Sequence, residues 1–127
     1  MTQQTEDKSK YRVVLCGASA YDQKYYFNKQ FDALPESVKE ELHILCVLFT
    51  EDVGGVFTVE FDLNGRVVLN SRKDEGDLLY DDVGAPLLIG QVYRKKKELL
   101  RGISIYFRVT FLHEDPAALL EEEEDDD

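Results

Sequence analysis

Between Pro35 and Leu69 the apolar residues change their period once, from three and four to two, and the change falls on a pair of glycines. Val38, Leu42, Leu45, Cys46 and Phe49 recur at helical steps. Pro35 has the fixed φ of a first helical position, and Glu36 sets a negative charge where the helix dipole is positive. The spacing predicts a helix from about 35 to 52, closed by Gly54, which takes positive φ without steric strain. Its second half, ILCVLF, is apolar all round and is expected to lie deep in the core. Beyond the glycines, Phe57, Val59 and Phe61 alternate with Thr58, Glu60 and Asp62, the period of a half-buried strand. Asn64 and Gly65 then turn the chain back into RVVLN. A two-residue turn would set Leu63 against Arg66 and Asp62 against Val67. A three-residue loop over 63–65, with Gly65 left-handed, sets Asp62 opposite Arg66, Phe61 opposite Val67 and Val59 opposite Leu69. The second register matches both charge and burial. Glu51 and Asp52 beside Gly54 and Gly55 then read as a helix end, since turn glycines far outnumber those that cradle a ligand.

Residues 1–10 have no apolar residue after Met1 and no periodicity, which predicts a disordered leader. The stretch 11–31 gives two short strands, with a break at Gly17 to Ala20 and an aromatic run from Tyr25 to Phe27. SRKDEGD is a polar loop. A second helix is expected over about 84–101, with Asp81 or Asp82 to cap it, Pro86 in its first turn, and Leu88, Val92, Leu99 and Leu100 on one face. After Gly102, Ile103, Ile105, Phe107, Val109 and Phe111 alternate with Ser104, Tyr106, Arg108 and Thr110. A strand is the preferred reading, because glycine inside a helix costs about 1 kcal/mol relative to alanine. The competing reading is one long helix through Gly102, since Leu99, Ile103, Tyr106 and Thr110 also sit at helical spacing. Together these elements predict an α+β domain over 11–113, a mostly antiparallel sheet packed against two helices in two layers.

The net charge of −11 belongs to one end of the chain. Residues 114–127 hold nine of the 26 acids and no base, leaving 17 acids against 15 bases in the body. A nearly neutral body has no general electrostatic drive toward nucleic acid or anionic lipid. The tail, EDPAALLEEEEDDD, is expected to be disordered by self-repulsion. No stretch approaches the roughly 18 apolar residues of a membrane span, and MTQQTEDKSK lacks the apolar segment of a secretory signal. A cytoplasmic protein with two free thiols, Cys16 and Cys46, is the expectation.

No constellation points to catalysis. His43, Cys46, Cys16 and His113 form no paired knuckle, and Cys46 falls in the most apolar stretch, where a thiol behaves as a small hydrophobe. Cys16 in CGAS has no adjacent histidine to activate it and reads as the end of a buried strand. Gly54 and Gly55 precede a strand rather than a helix, so no phosphate loop is formed, and the acids of KDEGDLLYDD lack calcium-loop spacing. No metal or cofactor is expected. Two surface patches remain: Arg94, Lys95, Lys96 and Lys97, and Tyr25 with Tyr26 in the aromatic segment YDQKYYFNKQF. The expected function is that of a small non-enzymatic adaptor, regulator or immunity-type protein whose partner is another protein. An RNA-associated factor using 94–97 and 21–27 is the alternative, and a thiol- or metal-dependent enzyme the third reading.

The runs LCGASAYDQKYYFN, LPESVKEEL and CVLFTEDVGGVFTVEFD resemble a conserved domain of unknown function associated with clostridia and related Firmicutes, over residues 13–112. The resemblance implies a bacterial, cytosolic setting. It assigns no activity, cofactor, partner or site residue.

Overall fold

The computed structural model describes residues 7–124. Strands β1 (Arg12–Ser19) and β2 (Lys24–Phe27) form a first hairpin, helix α1 runs over Glu36–Val53, and β3 (Val56–Asp62) and β4 (Val67–Arg72) form a second hairpin. Helices α2 (Gly84–Lys95), α3 (Lys97–Thr110) and α4 (Pro116–Glu124) follow. The four strands make one antiparallel sheet in the order β2-β1-β3-β4. The α+β expectation holds, with four α-helices among the described residues rather than two.

The second hairpin has the expected register, with Phe61 opposite Val67 and Val59 opposite Leu69. Gly65 has φ 89° and its N–H donates to the Asp62 carbonyl at 2.9 Å. The Asp62 carboxylate was expected to face the Arg66 charge. It instead accepts from the backbone N–H groups of Asn64 at 2.9 Å and Arg66 at 3.0 Å, which lets a buried acid hold the loop. In the first hairpin the chain turns later than expected. Gly17 lies inside β1, where a Cβ would sit 2.7 Å from the Phe57 carbonyl, and the turn falls at 20–23 with Gln23 at φ 53°.

One face of the sheet carries the core. Phe57 stacks on Phe49 of α1 with centroids 4.0 Å apart, and Phe61 stacks on Phe107 of α3 at 4.4 Å, so both helices cover the same face. A bulge between Val14 and Cys16 adds one residue to β1, and Leu15 and Cys16 are both fully buried.

Three expectations fail, each for a physical reason. Residues 103–110 of the expected strand are helix, with Phe111 as its C-cap, and the expected helix 84–101 is divided at Lys96, whose φ is −111°. Leu100, Ile103 and Phe107 form the buried face of α3, while Phe111 from the alternating set is 37% exposed. Burying Ile103 and Phe107 contributes about 1.5–3 kcal/mol each, which outweighs the ~1 kcal/mol for Gly102 on the outer surface. Second, α1 is not buried all round: Ile44 and Leu48 are 59% and 55% exposed. Third, residues 116–124 of the expected disordered tail are α4. Leu119 is only 3% exposed, and Arg108 pairs with Glu114 at 2.8 Å and Glu122 at 3.3 Å. The tail's last residues, 125–127, and positions 1–6 of the expected leader lie outside the described residues. Residues 8–10 form a short 3-10 turn whose Lys8 carbonyl accepts from the Leu63 N–H at 3.1 Å.

Candidate functional site

Helix α1 lies between the first hairpin and α2, and each of its long flanks borders an opening. Positions 43, 47, 50 and 51 face the hairpin, whereas 41, 44, 45, 48 and 52 face α2.

The hairpin flank borders a cleft of about 500 Å³, walled on the other side by Ser19, Gln23, Lys24 and Tyr25. The Tyr25 ring stacks on His43, with centroids 4.1 Å apart and planes at 16°. Its hydroxyl is buried without a hydrogen-bond partner. Burial, together with the Cys16 and Cys46 thiols beside it, pushes the phenol's ionisation far above its ordinary range. The two sulfurs are 3.8 Å apart, and neither cysteine is exposed. A hydrogen bond between them lowers the Cys16 pKa and holds that of Cys46 well above the ordinary thiol value. The sequence signal for each cysteine was an apolar neighbourhood, which gave its burial. Their meeting depends on the β1 bulge and on how α1 crosses the sheet, which no local pattern records. Among the described residues no group of three or more His, Cys, Asp or Glu could hold a metal ion. His43 stacks outside the thiol pair, and His113 lies in the link between α3 and α4.

The α2 flank borders a groove of about 350 Å³ lined by Ile44, Leu45, Leu48 and Phe49 of α1 and by Leu88 and Val92 of α2. Glu41 and Asp52 mark its two ends on α1, and Lys96 pairs with Glu41 at 3.2 Å. Exposed Ile44 and Leu48 stand one helical turn apart, so they form a single stripe between the two acids. The all-round apolarity of ILCVLF was the sequence signal for this surface. It was read as full burial, but it has the other meaning open to such a helix: one face in the core and one face uncovered.

The chain belongs to DUF6145, a family of unknown function. The match runs over residues 12–115, which takes in the sheet, both flanks of α1, α2 and α3. No curated protein and no solved structure matches the chain.

The residues expected to form an interaction surface are not brought together. Tyr25 and Tyr26 are neighbours in a strand and so point to opposite faces: Tyr25 packs on His43, and Tyr26 stands 57% exposed on the uncovered side of the sheet. Arg94 and Lys95 end α2, Lys96 is the break, and Lys97 begins α3, so the basic run turns a corner instead of lining one helix face. Lys96 meets α1 at Glu41, on the side away from Tyr25 and His43. Among the described residues no helix is long and apolar enough to cross a membrane.

Proposed function

We propose that this chain is a small non-enzymatic adaptor or regulator in a bacterial cytoplasm, and that it binds another protein through the groove between α1 and α2. The observation that carries the reading is the stripe Glu41–Ile44–Leu48–Asp52, two exposed aliphatic side chains bracketed by acids beside an open groove. Exposed apolar surface rimmed by charge is the usual mark of a protein-binding site, and a groove between two helices suits an amphipathic helix with anchors four residues apart. The Glu41 end of the rim already holds Lys96, so it is the Asp52 end that favours a basic residue on the partner.

A photoreactive phenylalanine analogue at position 48, with the same analogue at position 70 on the uncovered sheet face as control, tests the reading in living cells. The expected result is one discrete adduct with a different protein at position 48, lost when Asp52 is changed to Lys. Identical adducts at both positions, or adducts only with a second copy of this chain, overturn it.

A further inference from the structure

We propose that Cys16 and Cys46 are a dithiol modification site, which a small peroxide converts to an intramolecular disulfide through the hairpin-side cleft, with the Tyr25 ring as its gate. The inference is independent of the α2 groove. It rests on three observations. First, the sulfurs approach to 3.8 Å from two different elements, β1 and α1, and an S–S bond requires them to close by only about 1.7 Å. Second, the pair is sealed from solvent, while Tyr25, beside both thiols, and Thr50, whose hydroxyl donates to the Cys46 carbonyl, also line the adjoining cleft. Third, the buried Tyr25 hydroxyl is left without a hydrogen-bond partner beside the thiols, and the ring is held by its stack on exposed His43 rather than by packing on all sides. Rotation of that one ring opens a path for a molecule close to water in size, and it excludes bulky alkylating reagents.

The chemistry follows from the pair's asymmetry. The sulfurs are 3.8 Å apart and either could donate; with the Cys46 S–H as donor, the contact favours the Cys16 thiolate and makes it the attacking group. The Cys16 sulfur bonds to one peroxide oxygen, the O–O bond breaks, and the departing hydroxide takes up the proton that Cys16 released, giving water and a sulfenic acid. Cys46 then attacks the Cys16 sulfur: the S–S bond forms, the S–OH bond breaks, and the leaving hydroxide takes the Cys46 proton. Two thiols and one hydrogen peroxide thus become one disulfide and two waters.

The test treats the folded full chain with hydrogen peroxide, blocks remaining thiols in denaturant, and maps the peptides. The expected product is a monomer with Cys16 joined to Cys46, reversed by dithiothreitol. Its melting temperature should be higher by roughly 10 °C, because the link closes a loop of about 30 residues. Tyr25→Ala should form the link about tenfold faster and Tyr25→Phe, which keeps the ring, within roughly twofold of the parent rate. Wild-type thiols that stay reduced under conditions that oxidise the denatured chain overturn the site. So does oxidation that ends in intermolecular bonds or sulfonic acid. A Tyr25→Ala rate equal to that of the parent overturns the gate. The wild-type map decides the site even if a core variant fails to fold.

Discussion

On the hairpin side of α1, His43 is stacked, the Thr50 hydroxyl donates to backbone carbonyls of its own helix, and two thiols are sealed beneath Tyr25. On the α2 side, the same helix leaves Ile44 and Leu48 in water beside a groove with apolar walls. One flank is therefore tied to partners within the chain around its cleft, and the apolar stripe of the other has none that covers it among the described residues. The difference separates two kinds of apolar residue within a single helix. Those that turn inward hold the fold, and those that turn outward are free to serve something outside it.

The largest effect separates Leu42, which is fully buried, from Leu48. Leu42→Ala should destabilise the protein by about 2–5 kcal/mol in urea unfolding, and Leu48→Ala by less than about 1 kcal/mol. Equal losses would break the comparison, since they would mean that the α2 flank is closed in solution. His43→Ala removes the stack on Tyr25 and should cost about 0.5–1.5 kcal/mol, read in the same unfolding experiment. No loss would make the hairpin flank as loosely closed as the other.

The smallest effect concerns the rim of the hairpin flank. The Tyr21 hydroxyl donates to Asp77 and accepts from the Asp74 N–H at 2.8 Å, tying the first turn to the loop before α2. The Tyr21 hydroxyl, and then the Leu79 N–H, hold the Asp77 carboxyl below its ordinary value of 3.8. A depressed folded-state pKa gives stability that is present above the ordinary value and lost as pH falls through the lower one. Tyr21→Phe should therefore lower the melting temperature slightly near pH 6, with the gap to wild type narrowing by about pH 2. A gap that is the same at both pH values would show that the tie is steric rather than charge-assisted.

The elements most legible from sequence were those whose information is local. The α1 period and the 63–65 loop follow from residues within one turn of each other, and both lie where expected. The segment 97–110 satisfies two periods at once, and the choice between them is made by Phe31 and Phe61, which wait for Phe107 across the core. Likewise α4 is explained by Leu119 and by the Arg108 ion pairs, contacts that a run of like charges conceals. The candidate sites divide the same way. The opposite facing of Tyr25 and Tyr26 follows from strand period alone, whereas the meeting of Cys16 and Cys46 depends on sheet register, a bulge and a helix crossing together.

The central pairing of β1 with β3, Val13 against Phe61 at one end and Ser19 against Val56 at the other, spans the whole of α1. During synthesis the first hairpin emerges long before its second neighbour, and two strands alone are marginal in water. Closing that long intervening loop is the slow entropic step of folding. Until β3 leaves the ribosome, the VVLC segment of β1 is an apolar strand edge without cover. Pairing with β3 removes that edge, while the part of the sheet face around Phe61 stays uncovered until Phe107 of α3 has been made.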